Sequence, residues 1–105
     1  MAEGLLTKDE IFQRVSDHKA HIRALGVKQL GLFGSFVRGQ QTAISDIDFL
    51  VEFEKGQKDY DRFLALSGLL EEILGMPIEL VTLESLSPYL GPSILHEVEY
   101  VSLAA

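Results

Sequence analysis

Two rhythms of apolar residues divide this chain, one with the period of a helix and one with the two-residue period of a strand. Ile11, Val15, His18, Ile22 and Leu25 recur at helical spacing and predict one helix, which Gly26 stops. Thr7, followed three residues later by Glu10, reads as the capping box that opens it. Val27 to Phe33 predicts a strand, broken at Gly34-Ser35, after which Phe36-Val37-Arg38 begins a short helix. Residues 39–45 read as a loop. From Ile47 to Phe53 the β-branched and aromatic residues of Ile47-Asp48-Phe49-Leu50-Val51-Glu52-Phe53 predict a second strand. Asp59 to Leu74 predicts a second long helix with Tyr60, Phe63, Leu64, Leu70, Ile73 and Leu74 on its apolar side, ended by Gly75. Pro77 opens a third strand, Ile78-Glu79-Leu80-Val81, after which Thr82 or Ser85 caps a short turn. Residues 92–100 read as a last helix. Helices alternating with three strands predict an α/β or α+β layer, with helices packed on a small sheet.

Length and composition narrow this further. The 105 residues fit one domain spanning 1–105, and 47% hydrophobic residues suffice for a packed core. No apolar run approaches the roughly 20 residues of a membrane span. Met1-Ala2-Glu3-Gly4-Leu5-Leu6 has no basic region leading into an apolar one, so no secretion signal is expected. The absence of Cys excludes disulfides, a thiol nucleophile and thiolate metal sites, and a cytoplasmic protein fits this pattern. The net charge of −7 is uneven, because residues 63–105 contain six acids and no Lys or Arg. A surface that tracks nucleic-acid phosphates needs clustered cations, so direct nucleic-acid binding is not expected. An acidic, apolar half suits either solvated helix faces or a basic protein partner.

The chemistry concentrates between Phe33 and Phe53. Glycine after an apolar strand lets the backbone approach a ligand closely, and Ser35 adds a hydroxyl that can donate to a phosphate oxygen. Asp46 and Asp48 are two apart along a strand, so both project to one side, roughly 6–7 Å apart along the backbone. Like charges on one face repel, and a hard divalent cation such as Mg²⁺ would resolve the repulsion. A solvent-facing Asp46 at a strand end, with Asp48 capping a neighbouring turn, is the alternative.

Gly34-Ser35, ten residues, then Asp46-Ile47-Asp48 in an apolar strand resembles the signature of the DNA polymerase β-like nucleotidyltransferase superfamily. Leu32-Phe33-Gly34-Ser35-Phe36-Val37-Arg38-Gly39 with residues 45–53 is similar to its minimal nucleotidyltransferase branch, and the likeness continues through residues 78–82 and 94–98. The resemblance implies a small mixed β-sheet with helices packed on it. It implies that Gly34 and Ser35 hold the β- and γ-phosphates of a nucleoside triphosphate, and that Asp46 and Asp48 hold two Mg²⁺ ions. The family's third carboxylate is usually Asp; the matching position here is Glu79, which either completes the metal set or faces solvent. Arg38, one turn past Ser35, matches a position that often carries Arg and is suited to phosphate contact, or it pairs at the surface with Glu52 or Glu54. Lys55 and Lys58 are weaker candidates.

The implied activity is transfer of a nucleoside monophosphate, AMP from ATP, to a hydroxyl. Minimal members resemble antitoxins of two-gene modules whose partner is an all-helical HEPN-type toxin, modified on a tyrosine. With no length for an added helical domain, acceptor choice falls to a homodimer, a partner chain or a loop. Two other readings stay open: a catalytically weak antitoxin that neutralises its partner by occlusion, and transfer to a small molecule. His18 and His21 lack a third ligand nearby, His96 is alone, and Ser67, Ser85 and Ser87 have no nucleophile-activating partners. Tyr60, Tyr89 and Tyr100 read as packing or interface residues.

Overall fold

A computed structural model describes residues 6–104. The stretch 1–5, to which the reading against a secretion signal chiefly applied, lies outside the described residues. The capping box forms as the sequence predicts. Thr7 Oγ1 accepts from the Glu10 amide at 3.2 Å, and the Glu10 carboxylate accepts from the Thr7 amide at 3.0 Å. It opens α1 (Lys8–Asp17). The single helix expected here is in fact two. His18 leaves helical geometry (φ −114°, ψ 17°); its amide donates to the Val15 carbonyl at 3.0 Å and its ring Nδ1 meets the Arg14 carbonyl at 2.9 Å. With the last carbonyls of α1 satisfied, the chain restarts as α2 (Lys19–Ala24), and His18 stands exposed rather than in the apolar stripe.

The sheet contains β1 (Val27–Phe33), β2 (Ile47–Phe53), β3 (Ile78–Thr82) and β4 (Glu99–Tyr100), in the order β3-β2-β1-β4. β1 runs antiparallel to both β2 and β4, whereas β2 and β3 are parallel. Parallel neighbours need a crossover, supplied by α4 (Tyr60–Leu74), which Asp59 caps by accepting from the Arg62 amide at 2.7 Å. The buried stripe of α4 is Leu66, Leu70 and Leu74; Tyr60 and Leu64, expected on it, are 73% and 49% exposed. The face is rotated because Leu66, not Leu64, lies one turn before Leu70 on the side facing the sheet.

The last stretch departs from expectation too. The helix α5 (Gly91–Glu97) ends before Val98, and Glu99–Tyr100 forms a fourth strand against Gly31 and Leu32. A Cβ on Gly31 would overlap Val98 Cγ2 and come within 3.0 Å of Tyr100 Cδ1, so the bare backbone at Gly31 is what admits the returning chain. The amide of Val101 extends the pairing to the Leu30 carbonyl at 2.8 Å.

One face of the sheet holds the fold together. Leu30, Leu32, Ile47, Phe49 and Val51 lie against Ile11, Val15, Ile22, Leu66 and Leu70, all fully buried. Each such side chain contributes roughly 1.5–3 kcal/mol of transfer free energy. The opposite face carries Phe33, Asp48, Glu79 and Val81 and is only partly covered. Among the described residues no helix is long and apolar enough to cross a membrane.

Candidate active site

The strand register sets the site. Phe33, the last residue of β1, pairs with Asp48, and Asp48 pairs with Glu79 across the parallel β2–β3 ladder. Neighbours in register share a face, so the two carboxylates lie side by side at the same end of the sheet. After Phe33 the chain turns sharply at Gly34, with φ 81° and ψ −155°, a region that side-chain-bearing residues rarely enter. A Cβ there would overlap Asp48 Oδ2. The Gly34 backbone therefore lies directly against the Asp48 carboxylate. Ser35 follows Gly34 directly, begins the four-residue helix α3 (Ser35–Arg38) and is half-buried.

Asp46 sits at the turn into β2 and is exposed. The preceding loop is braced locally: the Thr42 amide donates to Ser45 Oγ at 2.8 Å and the Ser45 amide to the Thr42 carbonyl at 3.1 Å. The Ile47 amide then donates to the Pro77 carbonyl at 3.2 Å, fixing the start of β2 against that of β3.

The Asp48 carboxyl is pushed up from 3.8 to about 6. Burial is the largest cause, followed by the charge of Glu79, a hydrogen bond shared with Glu79 and the charge of Asp46; Arg38 opposes these. Five predicted residues are thus in one neighbourhood: Gly34, Arg38, Asp46, Asp48 and Glu79. Beside Asp48 and Glu79 opens a cleft of about 350 Å³, with apolar walls from Phe33, Val81, Leu86, Leu90 and Ile94. Among the described residues no three His, Cys, Asp or Glu side chains form a ready-made ion cage. Two adjacent carboxylates without nitrogen or sulfur donors fit a hard cation that takes its remaining ligands from water and substrate phosphates.

Glu97, at the end of α5, is the residue that sequence reasoning missed. Its Oε2 accepts from the Gly34 amide at 2.8 Å, and its Oε1 accepts from Arg38 Nη1 at 2.8 Å. Arg38 also donates through Nε to Gln40 Oε1 at 3.1 Å. The expected surface partners of Arg38 are engaged elsewhere or not on it: Glu52 lies 3.8 Å from Lys28, and no Glu54–Arg38 pair forms among the described residues. Lys58 pairs with Glu84 at 3.4 Å. Glu97 is 63 residues from Gly34 along the chain; it falls in the stretch 94–98 to which the family likeness extends, but that likeness gave it no role.

Comparison with known proteins identifies the family and the fold. Residues 9–101 match the family model described as "Nucleotidyltransferase domain". The chain is 39% identical to the protein adenylyltransferase MntA of Thermococcus cleftensis over 99 residues, covering 93% of this chain and 99% of that protein. It is 40% identical to a candidate protein adenylyltransferase of Methanocaldococcus jannaschii over 98 residues, covering 90% and 98%. Among solved structures, a candidate minimal nucleotidyltransferase superposes with a TM-score of 0.68 at 27% identity, over 84% of this chain and 93% of that one. A toxin–antitoxin crystal structure with AMP-PNP superposes with a TM-score of 0.62 at 26% identity, over 80% and 72%.

Proposed function

The chain belongs to the nucleotidyltransferase-domain family, and from that premise we propose that it is a Mg²⁺-dependent protein adenylyltransferase that moves AMP from ATP to a hydroxyl of a toxin partner, a tyrosine of an HEPN-type protein. The observation that carries this reading is Asp48, lying against the bare backbone of Gly34 and paired by the β2–β3 register with Glu79. Carboxylates crowded until one of them resists ionisation, beside an amide and a guanidinium, are suited to a polyanion that arrives with its own cations.

In the proposed reaction the Gly34 backbone, the Ser35 hydroxyl and the Arg38 guanidinium hold the β- and γ-phosphates. Asp46, Asp48 and Glu79 are the residues that would hold Mg²⁺, which when bound offsets phosphate charge and eases deprotonation of the acceptor hydroxyl. The acceptor oxygen forms a bond to the α-phosphorus and the bond from that phosphorus to the bridging oxygen breaks, releasing pyrophosphate. The hydroxyl proton passes to a carboxylate oxygen, and Glu79, on the cleft side, is the residue offered for it. The apolar cleft walls beside these carboxylates suit an aromatic acceptor better than a sugar. The relation to the protein adenylyltransferase MntA supports the transfer, and the likeness to a toxin–antitoxin structure with AMP-PNP supports an antitoxin role.

The test is incubation with α-labelled ATP, Mg²⁺ and the neighbouring gene product. Label on the partner that disappears in Asp46→Asn/Asp48→Asn supports transfer. Neutralisation without labelling, surviving in the double variant, would replace transfer by occlusion. Glu79→Ala is expected to lower turnover about a hundredfold with nucleotide affinity changed far less, measured as initial rates against direct binding. Wild-type turnover in that variant would remove Glu79 from the mechanism.

A further inference from the structure

The carboxylate of Glu97 occupies two groups at once. Its oxygens take the Gly34 amide and the Arg38 guanidinium, each at 2.8 Å. These are two of the groups assigned above to the nucleotide's phosphates, and the inference rests on that assignment. Arg38 has five N–H donors and can serve two anions; Gly34 has one amide proton and cannot do so at full strength. A triphosphate oxygen and the Glu97 carboxylate are chemically similar acceptors, and placed together they repel.

We propose that Glu97 is a built-in competitor for the phosphate position: its carboxylate takes Gly34 and Arg38, and ATP must displace it. The contact is also mechanical. Glu97 is the last residue of α5, whose Ile94, with Leu90 just before the helix, lines the cleft beside Asp48 and Glu79. Beyond it the chain is fastened, with Glu99 bound to Lys8 at 3.1 Å and paired to Leu32. Release of Glu97 therefore frees the C-terminal end of α5 while β4 stays in the sheet. Phosphate capture and the shape of the cleft become coupled through one side chain. A carboxylate that merely braced Gly34 and Arg38 would have the opposite effect on affinity, since removing its charge would weaken the nucleotide's grip.

The experiment measures binding of AMP-PNP with Mg²⁺ by calorimetry to the wild-type protein, Glu97→Gln and Arg38→Ala. Glu97→Gln keeps the shape but loses the charge, and is expected to bind about five- to tenfold more tightly. Arg38→Ala is expected to bind about tenfold more weakly. Unchanged or weaker binding by Glu97→Gln, with Arg38→Ala weakened, overturns the competitor and leaves the phosphate assignment standing. Wild-type affinity in Arg38→Ala overturns that assignment at Arg38, and the proposal with it. Should Glu97→Gln not fold, amide exchange on the wild-type protein decides. AMP-PNP should lower protection at the end of α5, and unchanged or higher protection with nucleotide bound overturns the displacement.

Discussion

Asp48→Asn should end nucleotidyl transfer and yet make the metal-free protein harder to unfold at pH 7.5. The first effect follows from the role proposed for this carboxylate, and a loss of about a thousandfold or more is expected in the labelled-transfer assay. The second follows from its surroundings. Asp48 is partly buried beside Glu79 and Asp46, and its carboxyl sits at about 6 instead of 3.8. Below 3.8 it is protonated in both folded and unfolded chains and contributes no pH dependence. Between 3.8 and about 6 the folded chain keeps a proton that the unfolded chain has lost, so stability falls as pH rises through that window. Above about 6 the full cost of the buried charge is present. Asparagine removes the charge, so the variant should melt about 4 °C higher in EDTA at pH 7.5, roughly what 1 kcal/mol gives a domain of this size. The full shift is discounted because the carboxylate retains contact with water. The gain should vanish near pH 4. A lower melting temperature at pH 7.5 would mean that the carboxylate is held by favourable contacts instead.

The second large effect is expected at Gly34. Gly34→Ala places a methyl group on Asp48 Oδ2 in a backbone conformation closed to alanine. The strain alone costs about 1–3 kcal/mol, which in thermal unfolding is a drop of roughly 4–20 °C. Relief requires Asp48 or the turn into α3 to move, and either movement separates the backbone proposed to hold phosphate from the carboxylates. Transfer should fall more than about a hundredfold. Gly39→Ala is the control. That glycine also has a positive φ, of 71°, but a Cβ there would meet nothing within 4 Å. It should lose some stability and keep its activity. Equal activity in Gly34→Ala would dismiss the close approach as a requirement of the chemistry.

Where local chemistry decides, the chain was readable from its residues. The strand Ile47–Phe53 was legible at its full length because β-branched and aromatic residues dominate it between acidic flanks, and Val27–Phe33 because its apolar residues run between Gly26 and the break at Gly34. The Thr7–Glu10 capping box was legible because both its partners lie within one turn. Gly34, Asp46 and Asp48 stood out for the same reason: their spacing is short and their residue types are costly in an ordinary strand. What failed depends on distant partners. Tyr60 and Leu64 are apolar, yet only the position of the sheet determines that Leu66 turns inward. The fourth strand exists because Gly31, almost 70 residues earlier, leaves room for Val98 and Tyr100. The break at His18 rests on a ring nitrogen reaching the Arg14 carbonyl, an arrangement that competes with helix propensity without altering the pattern. Glu97 joins a pair that sequence separation hides entirely.

The parallel pairing of β2 and β3 also governs when the site can exist. Asp48 and Glu79 become neighbours only after the whole of α4 has crossed over the sheet, and Glu97 reaches Gly34 later still along the chain. Ordering so long a connection precedes any reward from the contacts it closes. A polypeptide still emerging from the ribosome, with Gly34 and both aspartates already made, therefore has only a fragment of the proposed site. On the proposed function, competence for transfer arrives only once the segment carrying Glu79 has been made and has docked beside β2, which makes transfer a reporter of that assembly.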